Sequence, residues 1–190
     1  MKTAIAAVRE VGRILAVFSS TFNPMRFCSR PLLIRLGFAA LFCAPWTAQA
    51  EVLHGQIVAI TDGDTLTLLV DREQRKIRLA AIDSPERVQA FGDRAKSNLG
   101  RLAFNRNAVA DCHKTDRYGR LICKVQVDGQ DVGLAQIAQG FAWWYRTYAK
   151  EQAPEDQAAY EQAETMAKLR RHGLWADTRP IPPWEWRREH

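Results

Sequence analysis

The sequence predicts an α+β fold built on a small five-stranded Greek-key barrel of the oligonucleotide/oligosaccharide-binding (OB) kind, with about three helices. Three observations support this fold class. Five short segments are rich in β-branched and aliphatic residues and are separated by turn signals. One segment with helical periodicity interrupts them, and two more follow the last predicted strand. No internal repeat, low-complexity tract or linker interrupts residues 51–175, so we predict one domain over that range.

The first half of this domain is predicted to contain three strands, at residues 56–60, 65–70 and 76–82. Clusters of polar turn residues separate them. In the third segment, Ile77 and Leu79 alternate with Arg78. Because side chains alternate across a strand, we expect Arg78 to point away from the buried face and to be available to a ligand.

The second half mixes helices with the last two strands. A helical period begins at Gly92, and strands are expected on both sides of a turn that contains Asp116 and Gly119. Gly140 and Gly173 are placed where two later helices would end. The predicted helices are residues 92–105, 132–139 and 154–172, and the predicted strands are residues 107–112 and 121–127.

The last segment, residues 176–190, is a tail rich in proline and tryptophan. Pro182 and Pro183 precede Trp184 and Trp186. The prolines predict irregular structure. We expect the tryptophans to pack against the body of the domain rather than to bind a ligand.

Residues 1–50 have the composition of an export leader. Basic residues precede an uncharged run at residues 36–50, which ends in the small-x-small pattern Ala48-Gln49-Ala50. We predict cleavage after Ala50 and a periplasmic or secreted product. Translation starting at Met25 would give a leader of ordinary length. Two alternatives therefore stay open: residues 1–24 belong to the leader, or they are an overcall of the start site. The uncharged run is shorter than the roughly 20 residues that span a bilayer, and we expect no stable membrane span after cleavage.

The net charge of +6 belongs mostly to this leader. Residues 1–50 contain six Lys or Arg and one Asp or Glu, whereas residues 51–190 contain 21 basic and 20 acidic side chains. The domain therefore has no strong overall field for a polyanion. A nucleic-acid substrate has to be argued from individual arginines.

The cysteines fit an oxidising compartment. Cys28 and Cys43 lie in the leader, which leaves Cys112 and Cys123 on either side of the 116–120 turn. We predict a disulfide between them. The alternative is a pair of buried free thiols. A zinc site is disfavoured, because such sites usually need four ligands at closer spacing.

Two acidic motifs are candidates for metal binding. Asp62-Gly63-Asp64 begins like a calcium loop, but Leu66 and Thr67 stand where an EF-hand needs an oxygen ligand and a glycine, and the flanking segments are not helices. Without the second acidic motif, Asp62-Gly63-Asp64 would be interpreted as an ordinary polar turn. The second motif, residues 83–86, holds two carboxylates on a bend that Pro85 stiffens. Hard oxygen ligands from two such loops suit Ca²⁺.

Arg78 and Arg120 are the candidate phosphate ligands. Each could simply form a surface ion pair, which is the common role of arginine. The functional interpretation is that both planar guanidinium groups bind one phosphate. With a cation and a carboxylate nearby, they would provide the positioning and positive charge that phosphoryl transfer needs.

Four motifs in order, ITDGDT (60–65), RLAAIDSPE (78–86), DRYGR (116–120) and GLW (173–175), resemble the thermonuclease family of staphylococcal-nuclease-like, calcium-dependent nucleases. The resemblance covers residues 52–175. It implies Ca²⁺ ligands at Asp64, Asp83 and the backbone carbonyl of Ser84. It implies a nuclease that cuts DNA and RNA with little sequence preference and leaves 3′-phosphate ends. The catalytic residues that it implies are Arg78, Glu86 and Arg120.

The family also implies substrate contacts. Arg117 and Tyr118 would line the pocket for the terminal phosphate. The segment between Glu86 and Gly92 is shorter than the mobile loop of the staphylococcal enzyme. The aromatic run at residues 141–148 does not align one-to-one with the base-stacking tyrosine, and we select Tyr148 for that role.

Two rival functions remain open. The same barrel could bind single-stranded nucleic acid without cutting it, but such a module would be expected to lose Asp64, Arg78, Glu86 or Arg120, and all four are present. Alternatively, an uncleaved leader would tether the protein to the cell envelope, and the Trp/Pro tail would be the surface that contacts a partner. We interpret three histidines, His54, His113 and His172, as structural. We also expect the protein to be a monomer.

Overall fold

The computed structural model describes residues 50–190, which form an α+β fold around a closed barrel. Two short 3₁₀ helices, Arg146–Glu151 and Gly173–Ala176, flank the third α-helix. The strands are β1 (Glu51–Ile60), β2 (Thr65–Val70), β3 (Glu73–Leu79), β4 (Ile82–Asp83), β5 (Asn107–Thr115), β6 (Leu121–Val127), β7 (Gln130–Asp131) and β8 (Trp143–Trp144), and the α-helices are α1 (Gly92–Ala103), α2 (Val132–Ala138), α3 (Pro154–Leu169) and α4 (Pro183–Glu189).

Five strands close the barrel, as the sequence predicted. Strand β1 pairs antiparallel with β2 and β5, β2 pairs with β3, and β5 pairs with β6. A parallel pairing of β3 with β6 completes the ring. This closing contact covers residues 77–79 of β3 and 121–123 of β6, and it gives each of the five strands a hydrogen-bonded neighbour on both sides over part of its length. Strand β7 pairs antiparallel with the end of β6, and β4 pairs with β8 in a separate two-stranded sheet.

Alternate side chains of the barrel strands form the core. Leu66 and Leu68 on β2, and Ile77 and Leu79 on β3, are almost completely buried. The period of two that predicted these strands is therefore the period of burial. Arg78, between two buried residues, lies on the other face and keeps part of its side chain in contact with solvent.

The prediction that the third strand runs to residue 82 was wrong at its end. Strand β3 stops at Leu79, and Ala81 has a left-handed backbone with φ of 59°. The Tyr145 N–H donates a hydrogen bond of 2.8 Å to the Ala81 carbonyl. This tertiary contact accompanies a kink that redirects the chain into β4 and the acidic bend.

The prediction of an irregular tail was also wrong, because residues 183–189 form a fourth helix. Pro183 occupies its first turn, where the fixed φ of proline suits a helix. Trp184 packs against Trp143 and Tyr145, with ring centroids 6.4 and 5.4 Å apart. Tail packing was thus predicted correctly for this tryptophan, whereas Trp186 stacks on His190.

The predicted leader lies outside the described residues. Within residues 50–190, no helix is both long enough and apolar enough to cross a membrane.

Candidate active site

The turn between β1 and β2 places Asp64. The backbone N–H groups of Thr61 and Asp62 donate to the Thr65 carbonyl, and the Asp64 N–H donates to Asp62 Oδ1 at 3.1 Å. A Cβ on Gly63 would lie 2.6 Å from Ser84 Oγ. Glycine therefore lets this turn lie directly against the second acidic motif.

Gln136 on α2 supports the same turn from inside. Its buried Nε2 donates to the carbonyls of Gly63 (2.6 Å) and Ala95 (3.1 Å), and its Oε1 accepts from Asn98 Nδ2 at 2.6 Å. A buried amide with its polar atoms bonded in this way fixes the backbone that it contacts. No motif or pattern in the sequence indicated this residue.

Arg78 joins the two predicted metal ligands. Its Nη1 contacts Asp64 Oδ1, and its Nη2 donates to Asp83 Oδ1 at 2.8 Å. The Ser84 N–H donates to the other Asp64 oxygen at 3.0 Å. Asp64 is 3% exposed and Asp83 1% exposed. The structure thus brings together the three predicted metal-binding residues and the first predicted catalytic arginine.

Glu86 follows on the bend after Pro85. Its N–H donates to Gln89 Oε1 at 3.0 Å, and its partly exposed carboxylate accepts a hydrogen bond of 2.6 Å from Arg187 Nη1. The same guanidinium donates to Asp83 Oδ2 at 2.7 Å. Glu86 is therefore connected to Asp83 through a tail residue that the sequence analysis missed.

Arg120 approaches from the 116–120 turn. Its Nε donates to Asp116 Oδ2 at 2.7 Å and its Nη1 to Thr65 Oγ1 at 3.3 Å. The Thr65 hydroxyl donates in turn to Asp64 Oδ1 at 3.0 Å. The second predicted catalytic arginine is thus one side chain away from Asp64.

Burial and neighbouring charges shift the pKa values of the three aspartates in this cluster. Burial, with repulsion from Asp64, raises the pKa of Asp62 to about 6. Burial opposes ionisation of Asp64 as well, but the Arg78 guanidinium and the Ser84 N–H outweigh it and hold the Asp64 pKa below its ordinary value. Burial raises the pKa of Asp83 against the opposing effects of its two arginine partners.

A groove of about 1100 Å³ opens over the cluster. Arg117, Tyr118 and Tyr148 line it together with the predicted catalytic residues. The Arg117 guanidinium lies 4.8 Å from the Tyr118 ring centroid, and Lys114 Nζ lies 4.3 Å from the Tyr148 ring centroid. Tyr118 is exposed over 67% of its surface and Tyr148 over 43%, so both rings are accessible.

The residues present suit a hard divalent cation. In the described part of the chain, no group of three or more His, Cys, Asp or Glu side chains has the arrangement of a metal site. Two buried aspartates, Asp64 in the β1–β2 turn and Asp83 on β4, are nevertheless bound by the same guanidinium group of Arg78, and Ser84 Oγ has no hydrogen-bond partner among residues 50–190. The carboxylates of Asp62, Asp64, Asp83 and Glu86 outnumber the arginines that contact this cluster, and oxygen donors with excess negative charge fit Ca²⁺.

Cys112 and Cys123 are directly opposed on β5 and β6, and the structure joins them by a disulfide with an S–S distance of 2.08 Å. The bond lies within the paired part of the hairpin that carries residues 116–120, two residue pairs before its turn.

Comparison with known proteins identifies the family. A family profile described as "Staphylococcal nuclease homologue" matches residues 76–177, more than half of the chain. The chain belongs to the staphylococcal nuclease family. As a member of this family it is a hydrolytic nuclease, and its substrate is nucleic acid.

Relatives of this staphylococcal nuclease homologue cover most of its length. "Protein ParB" of Escherichia coli is 40% identical over 146 residues, which are 72% of this chain and 80% of that protein. "Micrococcal nuclease" of Shigella flexneri is 39% identical over 144 residues, or 71% and 80% of the two chains. An "Uncharacterized endonuclease" of Haemophilus influenzae is 39% identical over 135 residues, or 70% and 72%.

Arg187 is the site residue of this nuclease that sequence reasoning could have found. A proline at the first helical position, an acidic residue in the first turn and a basic residue in the last turn together indicate a helix, and the tail has all three in Pro183, Glu185 and Arg187. Applying the same criterion to residues 183–189 would have predicted the helix, although not its contact with Asp83.

Proposed function

We propose that this protein is an exported, Ca²⁺-dependent nuclease that hydrolyses DNA and RNA with little sequence preference and leaves 3′-phosphate ends. The observation that carries the proposal is that Arg78 binds both Asp64 and Asp83, that Arg187 connects Glu86 to Asp83, and that Arg120 is linked to Asp64 through the Thr65 hydroxyl. Relatives named micrococcal nuclease and endonuclease agree with this activity.

The two arginines would hold the scissile phosphate. Arg78 is already oriented by Asp64 and Asp83, and Arg120 by Asp116, so their remaining N–H groups are directed with little freedom. Guanidinium groups donate to phosphate oxygens in pairs, and their charge stabilises the in-line transition state and the leaving 5′-oxygen. Departure of the 5′-oxygen leaves the phosphate on the 3′ side.

Glu86 would orient the attacking water or accept its proton. Its side chain is 39% exposed, in contrast to the buried Asp64 and Asp83, and therefore can reach a water molecule in the groove. The preceding Pro85 limits the movement of this bend. A positioned carboxylate of this kind is a general-base candidate.

Asp64, Asp83 and the Ser84 backbone carbonyl would hold the Ca²⁺. When bound, this ion supplies positive charge beside the phosphate oxygens. Water would complete the coordination, because Ca²⁺ takes six to eight oxygen ligands.

The remaining contacts explain low sequence preference. Arg117 and Tyr118 would bind the terminal phosphate, and Tyr148 would stack on a base. Phosphate contacts carry no direct sequence information, and any base offers a face for stacking. We assign the protein to the periplasm or the medium, on the basis of the leader pattern and of a disulfide pair that suits an oxidising compartment, and we expect it to be a monomer.

The decisive experiment compares wild type with Arg120→Ala on labelled single- and double-stranded DNA and on RNA, in Ca²⁺ and in chelator. We expect Ca²⁺-dependent cutting with 3′-phosphate ends, and a loss in kcat/KM of about 10³-fold or more for Arg120→Ala, because a transition-state charge partner is removed. Arg170→Ala, at an exposed arginine at the end of α3, is the matched control and should cut normally.

Single-strand binding without cutting in any divalent metal would contradict the enzyme and favour a binding module. The mass of the protein recovered from the periplasm or medium tests the leader separately. We expect a chain that begins at Glu51, and a retained leader would favour the envelope-tethered alternative.

A further inference from the structure

The C-terminal helix α4 places a positive charge on the proposed metal ligands. Arg187 Nη2 donates to Asp83 Oδ2 at 2.7 Å, and its Nη1 donates to Asp83 Oδ1 at 3.3 Å and to Glu86 Oε1 at 2.6 Å. Asp83 is almost completely buried, so both of its oxygens meet guanidinium groups rather than water. The arginine thus contacts one predicted metal ligand and the predicted general base at the same time.

Two further contacts anchor the segment that carries Arg187. Gln89 Nε2 donates to the Ile181 carbonyl at 2.6 Å, while Gln89 Oε1 accepts from the Glu86 N–H. Trp184, three residues before Arg187, packs on two aromatic side chains of the domain. The position of the guanidinium is therefore defined by packing as well as by charge.

Arg187 and a divalent cation have the same electrostatic role at Asp83. Each offsets the excess carboxylate charge, and each binds to oxygen atoms of the same Asp83 carboxylate. If both were present within a few ångströms, they would repel each other in a partly buried site, where screening by water is weak. Their binding to Asp83 is expected to be mutually unfavourable.

We propose that Arg187 competes with the divalent cation for Asp83, so that metal binding releases the guanidinium and loosens α4. This inference rests on the proposed function, because it takes Asp64 and Asp83 as the metal ligands. With Arg187 in place, Glu86 Oε1 is engaged by a hydrogen bond and is less free to accept a proton from water. Release of Arg187 would free the carboxylate when the metal binds, so the C-terminus would link metal loading to an active base.

The test is the Ca²⁺ affinity of the full-length protein, measured by calorimetry without substrate. Coupling is reciprocal: if the metal weakens the Arg187 contact, removing that contact must strengthen metal binding. We expect Arg187→Gln to bind Ca²⁺ about 5- to 50-fold more tightly than wild type, a typical range for coupled sites. Arg187→Lys keeps the positive charge but loses the two-pronged guanidinium group, and its Ca²⁺ affinity should lie between those of wild type and Arg187→Gln.

Two further variants separate competition from a general effect of mutation. Arg188→Gln changes the exposed neighbour on the same helix and should leave Ca²⁺ affinity unchanged. Trp184→Ala keeps Arg187 but removes the packing that anchors it, and it should also strengthen Ca²⁺ binding. In wild type, Ca²⁺ should accelerate amide hydrogen exchange in residues 184–189.

Unchanged or weaker Ca²⁺ binding by Arg187→Gln would overturn the inference. If wild type still binds Ca²⁺ and Asp64→Asn abolishes that binding, the proposed function stands and only the competition fails. If wild type neither binds Ca²⁺ nor cuts nucleic acid, the proposed function fails and the competition fails with it.

Discussion

Asp83 illustrates how single residues make this site. Its carboxylate is removed from water, which raises its pKa, and it lies between the guanidinium groups of Arg78 and Arg187. A buried carboxylate is tolerated only with such partners, because the desolvation cost must be offset. The side chain is consequently held in one orientation before any ligand arrives.

At the residue scale, substitution of Gln136 tests whether its buried side chain stabilises the turn that carries Asp64. Gln136→Leu would leave the carbonyls of Gly63 and Ala95 and the amide of Asn98 buried without this partner. We expect the free energy of unfolding to fall by about 3 kcal/mol, because each unsatisfied buried group costs about 1–3 kcal/mol. Urea denaturation measures this change.

The matched control for this prediction is Gln139→Leu, the same substitution at an exposed position just after α2. It should change stability by no more than about 0.5 kcal/mol. Equal effects of the two substitutions would contradict the supporting role of Gln136. Since Gln136 fixes the turn before Asp64, its substitution should also weaken Ca²⁺ binding.

At the scale of elements, the ends of α2 and α3 meet through two glycines. A Cβ on Gly173 would lie 2.2 Å from the Gly140 carbonyl oxygen, and the Leu174 N–H donates to that same oxygen at 2.8 Å. Both glycines have positive φ, 74° for Gly140 and 55° for Gly173. The backbones of the two segments therefore approach more closely than side chains would allow.

Gly173→Ala should lower the free energy of unfolding by about 3 kcal/mol, because it combines a backbone clash with an unfavourable left-handed conformation. Gly100→Ala is the control: it lies inside α1, and a Cβ there meets no atom of residues 50–190 within 4 Å. That change should stabilise the protein by about 0.5–1 kcal/mol. Thermal denaturation of both variants compares the two, and a Gly173→Ala protein as stable as wild type would refute the close approach.

At the scale of the whole molecule, barrel closure assembles the site. The parallel pairing of β3 with β6 sets Arg78 opposite Ile122, two residues after Arg120. Residues 42 positions apart in the chain thus reach the same end of the barrel. The disulfide in turn joins the two strands of the β5–β6 hairpin that carries Arg120.

Reduction of this disulfide should lower the free energy of unfolding by about 2–3 kcal/mol, the loop-entropy value for a separation of 11 residues. The effect acts on the unfolded chain, which becomes less constrained. Urea midpoints with and without reductant measure it in wild type. The Cys112→Ala/Cys123→Ala double variant is the control and should be insensitive to reductant; an equal midpoint for reduced and oxidised wild type would contradict the prediction.

The sequence by itself determined the barrel class, the approximate positions of the five barrel strands and the order of the acidic and basic motifs. These features depend on local chemistry: alternation of apolar side chains buries one face of each strand, and prolines and glycines mark the turns. The motifs also sufficed to recognise the family, which the family profile then confirmed.

Only the tertiary structure decided the kink at Ala81, the support from Gln136 and the contact of Arg187 with Asp83. The kink accompanies a hydrogen bond from Tyr145, 64 residues later, and the arginine contact spans 104 residues. Local periodicity contains no information about such pairs, because their energies arise only when the closed barrel brings distant segments together. The sequence therefore identifies the residue types and their order, whereas the tertiary fold determines which residues contact each other.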